Sequence, residues 1–182
     1  KQHLELCRDI AQKFNNDYES PEFLKIPEPL IQKEFSRIMS LKDGKKKMSK
    51  SDPSDLSRIN LTDEKDQIIN KIKKAKTDPN PMPTSQKELT ERPEAENLLG
   101  IYASLTNQSL ENSINEFSSK NFSDFKEKLS EVVVEKITPV SIEIKKLLKD
   151  EKYLDEILLI GSDKANKIAS KKIEKIKELV GF

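Results

Sequence analysis

Hydrophobic residues recur at helical spacing along most of the chain, and this pattern predicts a mainly helical protein. The first predicted helix, residues 2–16, has one face formed by Leu4, Cys7, Ala11 and Phe14. Spacings of three and four positions place these side chains on one side of an amphipathic helix. Further helices are predicted at 62–76, 94–105, 109–118, 123–149, 151–159 and 162–180.

Polar residues and helix breakers set the predicted ends of these helices. The predicted N-caps are Thr62 or Asp63, Ser109, Ser123 and Ser162. Gly161 is expected to separate the last two helices, because glycine commonly ends a helix. Pro139 lies inside the long helix 123–149, where it predicts a kink or a break.

The remaining segments predict extended or irregular chain. Residues 20–35 hold three prolines and residues 77–93 hold four, so both are expected to be loops or extended connections. Between them, "RIMSL" at 37–41 predicts a short strand. A lysine-rich loop is expected from there to about Pro53.

The composition excludes several classes of protein. The 33 basic residues nearly balance the 32 acidic residues, so net charge gives no indication of nucleic-acid binding, and phosphate contacts must come from local clusters. Cys7 is the single cysteine, which excludes an internal disulfide and favours a reducing compartment. Apolar runs are far too short to span a membrane, and the chain opens with no signal-peptide pattern.

The lysine-rich loop carries the clearest candidate chemistry. "KMSKS", residues 47–51, places Lys47 and Lys50 three positions apart with hydroxyls between and after them. On a mobile loop, two ammonium groups can converge on one polyphosphate and hold the charge that develops on departing pyrophosphate. The alternative is a solvated surface loop without catalytic function, since lysine runs are common on surfaces. Asp52, directly after the loop, is a candidate to cap a turn or to pair with a loop lysine.

Several motifs in order along the chain resemble those of the tryptophanyl-tRNA synthetases, a family of class I aminoacyl-tRNA synthetases. They are "KQHLELCRDIAQKFN", "IPEPLI", "RIMSL", "KKMSKSDP", "IKKAKTD", "NLLGIYASLTNQS" and "GSDKANKIAS". The resemblance covers essentially the whole chain. It implies ATP-dependent formation of tryptophanyl-adenylate from L-tryptophan, with Mg²⁺ carried by ATP, followed by transfer to tRNA(Trp).

The resemblance also implies roles for individual residues. Lys47 and Lys50 would be catalytic, stabilising the triphosphate and the departing pyrophosphate. The backbone of Ile38 and the side chain of Met48 would contact adenine. Ser49 and Ser51 would order the closed loop around the phosphates. No metal ligand of the protein is expected.

The chain departs from the family in lacking the His-Ile-Gly-His-like element that binds ATP. His3 is its single histidine, and no glycine-rich phosphate cradle is present. The expected fold is therefore the C-terminal remnant of a Rossmann-type α/β catalytic domain, residues 1–60, followed by an all-helical anticodon-binding domain, residues 61–182. Such a fragment is expected to be inactive alone, and the complete enzyme to be a cytoplasmic homodimer. The alternative is a stand-alone helical RNA-binding or interaction module.

Other residues admit two interpretations each. His3 and Cys7 are either a metal pair or packed residues. Lysines on two helices either contact tRNA phosphates or are solvated: Lys71, Lys73, Lys74 and Lys76 on one, and Lys164, Lys167, Lys171, Lys172 and Lys175 on the other. The aromatic residues either stack on anticodon bases or belong to the core: Tyr102, Phe122, Phe125, Tyr153 and Phe182. The apolar runs 132–134 and 157–160 are expected to be packed.

Overall fold

A computed structural model of the chain describes residues 2–30 and 37–182. The helices are α1 Gln2–Asp17, α2 Lys65–Lys73, α3 Gln86–Leu89, α4 Pro93–Thr106, α5 Leu110–Phe117, α6 Phe122–Leu147 and α7 Glu151–Val180. The strands are β1 Met39–Ser40 and β2 Asp43–Lys47, which pair antiparallel, and a short 3₁₀ turn follows at Asp55–Ser57. The prediction of a mainly helical protein is confirmed.

The chain forms two compact units. One contains the described residues of 34–149, with the hairpin and helices α2 to α6, and the other contains those of 1–33 and 150–182, with α1 and α7. The first unit continues across residue 60. The division into a catalytic remnant and an anticodon-binding domain near that residue concerns function and stays a prediction.

The core of the 34–149 unit is formed by α4 and α6 together with the helices packed on them. Helix α6 packs against α2 and α4, and α4 also packs against α5 and β2. Tyr102, Phe117 and Phe125 meet edge to face at the centre, with ring centroids 4.8 to 6.1 Å apart. Edge-to-face geometry is the favoured arrangement of buried aromatic rings. This core is the platform on which the hairpin lies.

The other unit is tied together by polar and aromatic contacts. The side-chain amide of Asn15 donates to the carbonyl of Leu24 at 2.9 Å and accepts from its N–H at 2.8 Å. The ammonium of Lys172 lies 3.9 Å from the ring centroid of Phe23 and donates to the Phe23 carbonyl. No residue of α7 is buried among those described, so the prediction that 157–160 is packed is wrong within this structure.

The predicted separation of two helices at Gly161 and the predicted break at Pro139 are also wrong, whereas a kink at Pro139 stays a prediction. Helix α7 runs unbroken through Gly161, and the left-handed terminal position belongs to Gly181, whose φ is 86°. Helix α6 runs unbroken through Pro139. A glycine inside a helix costs about 1 kcal/mol and a proline about 3 kcal/mol. Helix-forming residues on both sides of Gly161 outweigh the first cost, and burial of Val133 and Ser141 around Pro139 outweighs the second.

The N-cap predictions are partly confirmed. Ser109 caps α5 by accepting from the N–H of Asn112. The N-cap of α2 is Glu64, which forms a capping box with Gln67, and not Thr62 or Asp63. Asn121 precedes α6 in place of Ser123, and Ser162 lies within α7. Asp63 is unavailable as a cap because its carboxylate binds Lys71.

Candidate nucleotide-binding loop

The lysine-rich segment begins as a hairpin rather than as irregular loop. Met39 pairs with Lys47 and Ser40 with Asp43, and the N–H of Met48 donates to the carbonyl of Ile38 at 3.0 Å. The prediction of a strand within "RIMSL" is confirmed in β1, whereas residues 43–47, expected to be loop, form β2. The hairpin therefore delivers Lys47 at a strand end, and the irregular loop is limited to residues 48–53.

Lys47 and Lys50 are exposed on either side of Met48 and Ser49. Within the part of the chain that the structure describes, neither ammonium group forms an ion pair. The hydroxyls of Ser49 and Ser51 lie 3.0 Å apart, and the N–H of Ser51 donates to the Ser49 hydroxyl at 3.4 Å. The apex of the loop thus presents two uncompensated cations and two hydroxyl groups to solvent.

Met48 and Ile38 are half-buried beneath this apex. The Met48 side chain packs against the hydrophobic core of the 34–149 unit. In this conformation the loop is anchored on one side by the apolar contact of Met48, while its two lysines are exposed. The roles of Ile38 and Met48 at an adenine ring stay predictions.

The C-terminal root of the loop is held by a guanidinium group. Arg58 donates to the carbonyl of Asp52 at 2.8 Å and pairs with Asp55 at 3.2 Å. Asp52 itself accepts from the N–H of Ser54 at 2.8 Å. Of its two predicted roles, Asp52 therefore takes the turn cap. Arg58 was not identified from the sequence, because an isolated arginine gives no local signal.

A buried lysine connects this root to α2. The ammonium of Lys71 lies 2.6 Å from Asp63 and 2.7 Å from Asp55, and the Lys71 side chain is only 3% exposed. The hydrogen bond from Lys71 holds the pKa of the Asp55 carboxyl below its ordinary value. Lys71 is thus enclosed and neutralised, so the interpretation of it as a tRNA-phosphate contact is wrong; Lys76 is likewise paired, with Glu94 at 2.8 Å.

The beginning of β2 lies directly on the start of α4. A Cβ atom added at Gly44 would lie 2.5 Å from the carbonyl carbon of Pro93 and 2.6 Å from the nitrogen of Glu94. The hydrogen bond from Lys76, with further hydrogen bonds that include the backbone of Gly44, lowers the pKa of Glu94. The absence of a side chain at Gly44 is what allows this approach.

A second polar contact joins α4 to β1. Asn97 is buried on α4, and its amide oxygen accepts from the N–H of Met39 at 2.8 Å. Its amide nitrogen donates to the carbonyl of the same residue at 2.9 Å. The sequence offered one signal for it: an asparagine flanked by Ala95, Leu98 and Leu99 on a helix face that is otherwise apolar.

The other residues considered from the sequence lie apart from this loop in the chain. His3 and Cys7 are both exposed on α1, and no group of three or more potential metal ligands is found among the described residues. Tyr102 and Phe125 are core residues, whereas Tyr153 and Phe182 are exposed. In ranges 2–30 and 37–182, no helix has the length and apolar character needed to cross a bilayer.

A groove of about 910 Å³ opens between α2 and α6. Ile69, Phe122 and Val134 supply its apolar lining. Lys126 also lines the groove. Its ammonium group donates to the carbonyl of Ala75 at 2.7 Å and to that of Lys73 at 3.3 Å. Burial lowers the pKa of this ammonium, which serves as a cap for the C-terminus of α2.

Comparison with known proteins identifies the family of this chain. Residues 1–138 match the family model described as tRNA synthetases class I (W and Y), and the chain belongs to this family. The tryptophan–tRNA ligase of Caulobacter vibrioides is 50% identical over the whole chain, which covers 53% of that protein. The Rickettsia felis tryptophan–tRNA ligase is also 50% identical, with 54% of its length covered.

Solved structures of tryptophanyl-tRNA synthetases share the fold. The enzyme from Mycoplasma pneumoniae superimposes with a TM-score of 0.80 at 29% identity, and the chain covers 53% of it. The Campylobacter jejuni enzyme complexed with ADP and tryptophan gives 0.67 at 26% identity, with 54% covered. In each comparison all of this chain is aligned, and it spans about half the length of the relatives it matches.

Proposed function

We propose that the chain is part of a tryptophan–tRNA ligase and supplies the loop that binds the phosphates of ATP. The observation that carries this proposal is the pair of exposed, unpaired ammonium groups on Lys47 and Lys50, held on a short segment that is anchored at both ends. The reaction would be activation of L-tryptophan by ATP to tryptophanyl-adenylate and pyrophosphate, followed by transfer of tryptophan to tRNA(Trp).

The lysines act through charge. As the bond between the α- and β-phosphates breaks, negative charge grows on the departing pyrophosphate. Two ammonium groups stabilise that charge, and they accelerate the reaction to the extent that they meet it more closely in the transition state than in bound ATP. Ser49 and Ser51 would exchange their mutual hydrogen bond for bonds to phosphate oxygens. Mg²⁺ would be carried by ATP, since this cation commonly binds through substrate phosphates.

Lysine substitutions in the full-length synthetase that carries this chain test the assignment. We expect Lys47→Ala and Lys50→Ala each to lower the rate of tryptophan-dependent ATP–pyrophosphate exchange by about 100-fold, with the Kd for tryptophan almost unchanged. Lys46→Ala is the matched control, because neighbouring strand residues face opposite sides. If Lys47→Ala, Lys50→Ala and Lys46→Ala all show the same exchange rate, the proposed role of the loop is overturned.

The helical part of the chain, residues 61–182, is proposed to bind the anticodon region of tRNA(Trp). The exposed lysines that support this are Lys164, Lys167, Lys171 and Lys175 on α7. Replacing all four by alanine should weaken tRNA binding and flatten its dependence on salt concentration. Unaltered tRNA affinity and salt dependence would remove α7 from the tRNA-binding surface.

The complete enzyme is proposed to be a cytoplasmic homodimer, and the isolated chain to form no adenylate. Tryptophan-dependent exchange by the isolated chain would contradict the second statement. The competing proposal, an RNA-binding or interaction module with a non-catalytic lysine loop, predicts RNA binding that is unaffected by ATP and by Lys50→Ala.

A further inference from the structure

We infer that Asn97 is a positioning residue for the ATP-phosphate loop: its side-chain amide clamps the backbone of Met39 and thereby holds the hairpin in register for closure on nucleotide. This inference rests on the proposed function of the loop. It assigns to a residue of the helical core, remote in sequence from the lysines, a role in the reaction that they perform.

The clamp consists of two hydrogen bonds between the Asn97 side chain and the Met39 backbone. Asn97 occupies both backbone hydrogen-bonding groups of Met39, with distances of 2.8 and 2.9 Å, and only 8% of the residue is exposed. An asparagine side chain reproduces the donor and acceptor of a peptide group, so it completes the free edge of β1 as a neighbouring strand would. The clamp joins residues 58 positions apart.

Met39 is connected to the loop through the hairpin. Met39 pairs with Lys47, and its neighbour Ile38 accepts from the N–H of Met48. One edge of β1 is therefore held by Asn97, while its other edge holds the residues at which the loop leaves the hairpin. A shift of Met39 relative to α4 displaces Lys47 and Met48 together.

The loop is fixed at both ends, and its apex makes few contacts. At Gly44 the beginning of β2 packs closely on α4, and Arg58 holds the C-terminal end of the loop at Asp52. Between these anchors, Ser49 to Ser51 make hydrogen bonds only with each other and with Asp52 among the described residues. A short free segment with a fixed base limits where the two lysines can go on closing, which lowers the entropy lost when they meet the phosphates.

The test compares three variants of the full-length synthetase with wild type. Asn97→Ala removes both hydrogen bonds, and Asn97→Asp keeps an acceptor for the Met39 N–H while losing the donor to its carbonyl. Tyr102→Phe is the matched control, because it removes a different partly buried hydrogen bond of α4, to Glu116 at 2.9 Å, without touching β1. All are assayed by ATP–pyrophosphate exchange and by amide hydrogen exchange.

We expect Asn97→Ala to raise the KM for ATP by about tenfold and to lower kcat, with the KM for tryptophan unchanged. Asn97→Asp should be at least as severe, because its buried carboxylate would face the Met39 carbonyl without a counter-charge. Hydrogen exchange at Met39 and Met48 should quicken in Asn97→Ala and not in Tyr102→Phe. The hydrogen-exchange comparison does not require an active enzyme. It also remains informative if Asn97→Ala is less stable than wild type, since Tyr102→Phe reports the effect of lost stability alone.

Two failures are distinguishable. If wild-type enzyme shows no tryptophan-dependent exchange, or Lys50→Ala leaves it unchanged, the proposed function fails. If Lys50→Ala abolishes exchange while Asn97→Ala matches Tyr102→Phe in KM for ATP and in amide exchange, the proposed function stands and the positioning role of Asn97 is overturned.

Discussion

The ammonium nitrogen of Lys71 lies 2.6 Å from a carboxylate oxygen of Asp63, and both side chains are almost fully enclosed. A charge in such a position is stable only while its partner is present, because water cannot solvate it. Lys71 lies on α2 and also reaches Asp55, close to the C-terminal root of the lysine-rich loop. It links the stability of the helical unit to the anchoring of the loop.

Removing the cation should therefore be costly. We expect Lys71→Met to lower the free energy of unfolding by about 3–5 kcal/mol, because Asp63 is left buried without a counter-charge. Lys73→Met, two positions along the same helix and exposed, should change it by less than about 0.5 kcal/mol. Urea unfolding of both variants provides the comparison, and equal stabilities would show that Asp63 finds another partner.

Two glycines should respond in opposite directions to the same substitution. Gly44→Ala forces a methyl group into the backbone of Pro93 and Glu94, and should destabilise the 34–149 unit by about 1–3 kcal/mol. Gly161→Ala meets no atom within 4 Å and lies within α7, where alanine should stabilise the helix by about 0.5–1 kcal/mol. Helical circular dichroism during thermal unfolding measures both effects. A stabilising Gly44→Ala would contradict the close approach of the hairpin to α4.

The contact between Glu94 and Lys76 predicts a dependence of stability on pH. The hydrogen bond from Lys76 lowers the pKa of Glu94 from its ordinary value of 4.5. The contribution of this carboxylate is therefore present above pH 4.5 and is lost as the pH falls through the lower folded-state pKa. Unfolding free energies measured at acidic pH should fall less steeply in Glu94→Gln than in wild type.

Glu96→Gln is the control for this experiment, since Glu96 is exposed on the same helix. It removes one carboxylate without removing the contact to Lys76. If it flattens the pH dependence as much as Glu94→Gln does, the effect belongs to net charge and not to the ion pair.

Tyr102 should ionise unusually late. Burial, assisted by the hydrogen bond to Glu116, raises the pKa of its phenol to about 12. Because the folded-state value is raised, its stabilising contribution is complete below the ordinary value of 10.0 and is lost as the pH rises through about 12. The difference between ultraviolet absorbance titrations of wild type and Tyr102→Phe should show a single phenol with a midpoint near that value. A midpoint near 10 would place the hydroxyl in water.

Local patterns predicted the helices well because their causes are local. The helices α1, α4, α5 and α6 lie within a few residues of their predicted bounds, since apolar spacing and nearby caps such as Ser109 determine them. Helix breaks were predicted at Pro139 and Gly161 and are not found there. Each residue weakens a helix by a small amount, and its neighbours decide whether the helix continues.

Candidate chemistry was recognisable only where its residues are contiguous in sequence. Lys47 and Lys50 stand close together in a recognisable pentapeptide, so their exposure in the structure needed no long-range information to anticipate. Whether a lysine is free or neutralised is a different matter. Lys71 and Lys76 looked like their neighbours in the sequence, yet each is held by a carboxylate at least eight positions away.

By itself, the sequence determined the helical character of this protein, the place of its lysine-bearing loop and its resemblance to one synthetase family. The tertiary structure alone decided that Asn97 hydrogen-bonds to Met39, that Arg58 binds the C-terminal end of the loop and that Lys71 is buried. Helical periodicity and short motifs act over a few residues, whereas burial and pairing depend on which distant segments pack together. For that reason the anchoring of the loop became visible only once the chain was folded.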